Sequence, residues 1–237
     1  MSNADEFIST FNQIETYLRS LSETNRHREF LSLLDEVSKS NTVVRKYRED
    51  LRQYAKLRNA IVHQITNEPI AEPSSKTVDN IQKIYECLTK PPMAEQIASK
   101  PVEYCCMGDL ISEVIEKMTK HDFTCMPVYE NNRFKGVFSE SSVVRWLEES
   151  CGKDGFLLEQ TTMQHLEKYF ISPSDNFQGY KFIPRKTNVF EVQDFFLSFT
   201  ENRRRLAALF ITENGKKEEA ILGIITAWDL PKINEKR

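Results

Sequence analysis

No uninterrupted apolar stretch in the 237-residue chain approaches the ~20 residues a helix needs to cross a bilayer. No positively charged segment followed by an apolar one opens it. No membrane partner is therefore expected, and the cytoplasm is the expected compartment. Neither sign of charge dominates: 32 Lys and Arg stand against 35 Asp and Glu, a formal net charge of −3. Bulk charge thus gives no case for a nucleic-acid or lipid surface. The five cysteines, Cys87, Cys105, Cys106, Cys125 and Cys151, contain no Cys-x-x-Cys pair, so no metal site is expected. Scattered cysteines fit a reducing compartment and act as small buried apolar side chains. No Ser-His-Asp, Cys-His, P-loop or metal-ligand arrangement occurs in the C-terminal two-thirds, which speaks against conventional enzymatic machinery there.

With 40% apolar and 28% charged residues, the chain has the composition of a globular protein and the length for two domains. Residues 5–92 read as a helical bundle. Phe7, Ile8, Phe11, Ile14, Tyr17, Leu18 and Leu21 recur at helical steps. A second helix carries Phe30, Leu31, Leu33, Leu34 and Val37. A third is expected over 41–63, with Asn41 or Thr42 as cap and Val44, Tyr47, Leu51, Tyr54 and Ile61 along one stripe. A fourth carries Val78, Ile81, Ile84, Tyr85 and Leu88. Lys90-Pro91-Pro92 ends it, since proline cannot continue a helix. Met1-Ser2-Asn3-Ala4 looks like a cloning remnant and takes no part in this reading.

After Pro92 the texture changes to a repeated unit. An amphipathic helix with Leu110, Ile111, Val114, Ile115 and Met118 precedes a strand at 124–129, an Asn131-Asn132 turn, a strand at 135–138 and a helix at 141–149. The order returns: a helix with Val189, Val192, Phe195, Phe196 and Phe199, a strand at 206–211, a turn at 213–216, a strand at 220–226 and a short helix or turn at 228–233. Two such copies can share an apolar face that neither buries alone. The expected class is α+β: an all-α bundle (5–92), then a repeat pair at 96–234 whose copies span 96–150 and 160–234.

Each copy ends in a recognisable heptad. The second reads Gly223-Ile224-Ile225-Thr226-Ala227-Trp228-Asp229 and the first Gly136-Val137-Phe138-Ser139-Glu140-Ser141-Ser142. A strand that turns into a helix at this point offers free backbone N–H groups to an anion. Thr226 adds a hydroxyl, and the Asp229 carboxylate can accept two hydrogen bonds. On these residues, positions 97–233 resemble a tandem pair of CBS motifs, each a β-α-β-β-α unit whose nucleotide-binding members show Gly-h-h-Thr/Ser-x-x-Asp, with h apolar. The resemblance implies a regulatory module that binds an adenine nucleotide (AMP, ADP or ATP) or a related adenosyl ligand, with no further cofactor. It places Gly223, Thr226 and Asp229 at the ligand, Phe182-Ile183-Pro184 against the adenine, and Arg205, last of an arginine run from 203, near the phosphates. Ser139 and Ser142 would form a weaker site, because Ser142 stands where the aspartate belongs.

The helical part carries a second signal. Leu57-Arg58-Asn59-Ala60-Ile61-Val62-His63 is similar to the Arg-x4-6-His motif of HEPN-type domains. That resemblance implies a dimerising domain or a ribonuclease in which Arg58, Asn59 and His63 act on RNA, His63 as acid or base and Arg58 on the phosphorane. A basic stripe of Arg45, Arg48, Arg52 and Lys56 follows helical spacing and could approach an RNA backbone. Three functions compete: a ligand sensor that modulates the helical domain or a partner, most naturally as a homodimer; a nucleotide-gated ribonuclease; and a scaffold that has lost its ligand.

Overall fold

Ser2 starts the first helix. In the computed structural model, which describes residues 2–22, 28–62, 72–150, 160–172 and 175–235, helix α1 spans Asn3–Leu21. The Ser2 hydroxyl accepts from the Asp5 N–H and the Asp5 carboxylate from the Ser2 N–H, both at 3.1 Å. This reciprocal cap satisfies two N–H groups that a helix start leaves without partners. Ala4 is buried, so Ser2, Asn3 and Ala4, which look like part of a cloning remnant, belong to the fold.

Phe7, Phe11, Ile14 and Leu18 of α1 are fully or almost fully buried. They pack against α2 (Phe30–Ser40), α4 (Arg48–Val62) and α5 (Ser75–Thr89). The helix expected over 41–63 is in fact two. Asn41 caps α3 (Thr42–Lys46) by accepting from the Val44 N–H at 3.0 Å, and the chain leaves helical geometry at Tyr47 (φ −99°, ψ 12°) before α4 begins. The β-branched run Thr42-Val43-Val44 propagates a helix poorly, and both valines are buried. Ser74 caps α5 through the Thr77 N–H at 3.2 Å.

The chain divides into two compact units at Pro92/Met93. The second, Met93–Glu235, contains the repeat. Its first copy has a 3₁₀ turn (Ala94–Gln96), β1 (Cys105–Cys106), α6 (Ile111–Lys120), β2 (Cys125–Glu130), β3 (Arg133–Ser139) and α7 (Glu140–Ser150). The second has a 3₁₀ segment (Met163–Tyr169), β4 (Gln178–Pro184), α8 (Val189–Glu201), β5 (Arg205–Thr212), β6 (Gly223–Ile225), a 3₁₀ turn (Ala227–Asp229) and α9 (Lys232–Glu235). Both three-stranded sheets share one topology: the first strand runs parallel to the middle one, and the third antiparallel to it. The class is thus α+β, with helices first and two small sheets after.

Local chemistry explains the turns. Asn131 and Asn132 both adopt positive φ (49° and 61°), as a tight two-residue hairpin requires. Asn188 caps α8, accepting from the Phe190 and Glu191 N–H groups at 3.0 Å, and Glu191 returns a bond to its backbone. The β5–β6 loop is tied by Glu219, which accepts from the Asn214 N–H at 2.7 Å and from the Asn214 side chain at 2.8 Å. These bonds, the backbone one foremost, hold its carboxyl down at about 2. Strand β6 is shorter than the 220–226 span expected, because this tied loop occupies the residues before it.

Gly215 sits in the same loop at φ +80°, where a Cβ would approach Pro184 Cδ to 2.9 Å. Gly215→Ala is expected to cost about 1–2 kcal/mol, from left-handed backbone strain plus the contact. Urea unfolding would read it, and an unchanged midpoint would contradict the assignment.

The two sheets of this unit meet in an aromatic cluster. Phe210 lies 5.5 Å from Phe182, 5.9 Å from Phe134 and 6.0 Å from Tyr180, centroid to centroid. Val137, Ile171 and Cys125 pack beside it. Burial pushes the Cys105 and Cys125 thiols up to about 12; they are protonated and inert at neutral pH, as packed cysteines are.

Candidate ligand-binding site

Strand β6 ends at Ile225, and the chain turns at Thr226 (φ −117°, ψ 177°) into a single 3₁₀ turn. Three residues on, Asp229 folds back. Its Oδ2 accepts from the Thr226 N–H at 2.8 Å and from the Thr226 hydroxyl at 3.2 Å. Its Oδ1 accepts from the Ser99 hydroxyl at 3.2 Å and from Lys232 Nζ at 2.6 Å. The Thr-x-x-Asp spacing therefore builds a capping box first. The carboxylate is only 4% exposed, which is affordable because every lone pair has a donor.

Ser99 comes from the stretch that leads into the first copy. It exchanges two backbone bonds with Ile224, Ser99 N–H to the Ile224 carbonyl at 2.9 Å and Ile224 N–H to the Ser99 carbonyl at 3.2 Å. The mirrored contact in the other copy joins Val137 to Ile171. Each copy's last strand thus receives the segment that leads into the other copy.

A cavity of about 940 Å³ opens over Thr226 and Asp229. Ser99 and Pro101 contribute one side, and Ile115, Met118 and Val143 from the first copy give an apolar wall. Trp228, 78% exposed, flanks it. Its size lies at the upper end of small-molecule sites, and apolar walls around a few convergent polar groups are their usual character.

Of the residues singled out in the sequence, the structure brings Thr226 and Asp229 together in this cavity and places the others elsewhere. Gly223 is buried on β6, where a Cβ would meet Ala98 Cβ at 3.0 Å and Lys100 Cε at 3.3 Å. Its smallness admits the incoming 97–101 segment. Of Phe182, Ile183 and Pro184, none lines the cavity: Ile183 is buried, Phe182 packs against the aromatic cluster and Pro184 against the Gly215 loop. Arg205 is exposed at the start of β5 and also stands outside the cavity lining. Its neighbour Arg204 lies over the Phe199 ring at 5.1 Å and donates to the Gln178 carbonyl at 3.4 Å.

The first copy's motif is closed on itself. Ser139 and Ser142 are buried, with hydroxyls 3.2 Å apart, and Ser141 donates to Gln178 Oε1 at 2.5 Å. Arg145, three residues past Ser142 as Lys232 is past Asp229, turns instead to Asp175 at 2.6 Å. Ser99 and Pro101 are the site residues that sequence reasoning missed. Their one signal is position, just ahead of the first copy's first strand.

In the helical unit, Arg58 is half-buried and reaches Asn59 Oδ1 at 3.4 Å. His63 lies outside the described residues. The basic stripe is partly neutralised: Arg52 donates to both Asp35 oxygens at 2.6 and 2.7 Å, and Arg48 to one at 2.9 Å. The Arg52 and Arg48 guanidiniums hold the Asp35 carboxyl below the usual range. Among the described residues, no group of three or more His, Cys, Asp or Glu is placed to hold a metal ion. No described helix is long and apolar enough to cross a membrane.

Residues 94–149 match the family model of the CBS domain. That segment is a CBS domain. The match falls on the first copy, and the second repeats its strand topology. Among solved structures, the chain is similar to CBSX2 in complex with AMP (16% identity, 62% of this chain and 99% of that one, TM-score 0.41). It is also similar to a CBS domain pair in complex with 5′-methylthioadenosine and S-adenosyl-L-methionine (14%, 61% and 98%, 0.42). A third is a CBS domain-containing protein of unknown function from Kribbella flavida (17%, 61% and 99%, 0.40). Comparison with curated proteins gives no match.

Proposed function

We propose that residues 96–234 act as a ligand-sensing CBS pair that takes an adenosyl ligand in the cavity over Thr226 and Asp229, and that the helical residues 5–92, or a partner protein, receive the signal. The observation that carries this reading is the buried Asp229 carboxylate at the base of a cavity walled by both copies. A ribose can replace the Ser99 and Lys232 donors on Asp229 Oδ1, since a carboxylate is an acceptor for any well-placed hydroxyl. An occupant touching both copies binds most tightly to one relative placement of them, and that differential affinity is what a sensor requires.

The exchange also has a mechanical consequence. Lys232 Nζ bonds the Ile97 carbonyl at 3.5 Å as well as Asp229. A ribose that displaces it from Asp229 loosens the tie between α9 and the segment that leads into the first copy.

Trp228 supplies the test. The chain has two tryptophans; Trp146 is buried and Trp228 is exposed at the cavity. In a Trp146→Phe variant, adenosine-containing ligands are expected to change Trp228 emission saturably and to raise the melting temperature of the full chain, since a ligand that binds only the folded state stabilises it. No change in either signal with AMP, ATP, adenosine, 5′-methylthioadenosine or S-adenosylmethionine would overturn the proposal.

A further inference from the structure

The charge around the cavity selects among adenosyl ligands. Its described lining contains four carboxylates, Glu103, Asp122, Glu140 and Asp229, and no lysine or arginine. Two are neutralised from outside, Glu103 by Lys117 and Asp229 by Lys232. Asp122 and Glu140 are exposed and have no ion-pair partner among the described residues. Among the described lining residues the single basic side chain is His121, stacked on Phe123 at 5.3 Å.

A nucleotide phosphate needs cations or free N–H donors to replace its water. Neither is at hand. The Thr226 N–H and hydroxyl are both spent on Asp229. The helix that follows Thr226 is one 3₁₀ turn, too short to sum peptide dipoles into a useful positive end. The arginines of the 203–205 run lie outside the lining. What the cavity does offer is apolar wall for a base or thioether, acceptors for a ribose, and two uncompensated carboxylates that favour a positive charge.

We infer that this cavity takes an adenosyl ligand without phosphate, neutral or cationic at its 5′ end, such as a thioether or sulfonium nucleoside, in preference to AMP, ADP or ATP. The inference rests on the adenosyl reading of the cavity and narrows it. The tail of such a ligand lies toward Asp122 and Glu140, where a sulfonium gains Coulomb energy and a triphosphate loses it.

Calorimetric titration of the full chain with adenosine, 5′-methylthioadenosine, S-adenosylmethionine, AMP and ATP tests it. The sulfonium and thioether ligands are expected to bind at least about tenfold more tightly than ATP, the scale of one or two unscreened charges at the cavity mouth. The double substitution Asp122→Asn, Glu140→Gln is expected to narrow that gap, and added salt to narrow it further. AMP or ATP binding more tightly than the unphosphorylated ligands, with loss in Asp229→Ala, would overturn the inference while leaving the adenosyl site standing. A gap untouched by the double substitution would overturn its electrostatic cause. Failure of all five ligands to bind would remove both the site and the inference.

Discussion

Asp229→Ala is expected to weaken adenosyl-ligand binding by about a hundredfold. A carboxylate that accepts from two ribose hydroxyls contributes about 1.5–3 kcal/mol per charge-assisted bond before reorganisation, and about 2.7 kcal/mol is a factor of a hundred. The same side chain holds the Thr226 turn and accepts from Ser99 and Lys232, so alanine also strands those donors and is expected to cost about 1–3 kcal/mol of stability. Asp229→Asn separates the effects. It keeps an acceptor for the Thr226 N–H and the shape of the turn, and loses the charge that grips the ribose. Calorimetry with thermal unfolding on both variants should show weak binding in each, with the larger loss of melting temperature in alanine. Wild-type affinity in the folded asparagine variant would mean that the ribose is held elsewhere.

Phe210→Ala is expected to destabilise the second unit by about 3–5 kcal/mol, the cost of emptying a large buried aromatic site. Phe210 is fully buried on the middle strand of the second sheet. It pairs in register with Phe182 on one side and Ile224 on the other. Against the ~5–15 kcal/mol that holds a typical domain, that loss is decisive. Because β6 is placed by β5, the cavity over Thr226 should be lost with it. Phe210→Leu keeps much of the volume and is expected to cost under about 1.5 kcal/mol if the cluster repacks. Urea unfolding followed by the buried Trp146 would report the second unit. A shift below about 1 kcal/mol for the alanine variant would contradict a cavity-forming core position.

Much of the secondary structure is legible residue by residue. The three- and four-residue apolar steps of α1, the Asn131-Asn132 turn and the proline stop after α5 depend on neighbours within a turn or two, so sequence carries them directly. Thr226 and Asp229 are legible for the same reason: their spacing of three is that of a capping box. The break at Tyr47 is harder to read, because an apolar stripe crosses it without interruption and only the β-branched run before it hints at a stop. Ser99 cannot be read as a site residue from local pattern, since its partner Asp229 lies 130 positions away.

The adenine wall and the phosphate clamp drawn from the family pattern show the same limit from the other side. Phe182, Ile183 and Pro184 carry the composition of a binding wall, but Phe182 packs on the aromatic cluster, Ile183 is buried and Pro184 sits against the Gly215 loop. Arg205 has the charge for a phosphate, but β5 starts with that side chain outside the cavity.

The sequence by itself determined the helical first part, the repeated strand-and-helix unit after Pro92 and the Thr226–Asp229 pair, because each is fixed by contacts between near neighbours in the chain. Only the tertiary structure decided which copy's lead-in segment meets which motif, and so that Ser99 faces Asp229. It alone decided that Ser139 and Ser142 are sealed and that the described lining of the open cavity includes four carboxylates and no lysine or arginine. The first of these depends on contacts between residues 130 positions apart, and the others on how the strands and helices of the two copies pack, which no local pattern encodes.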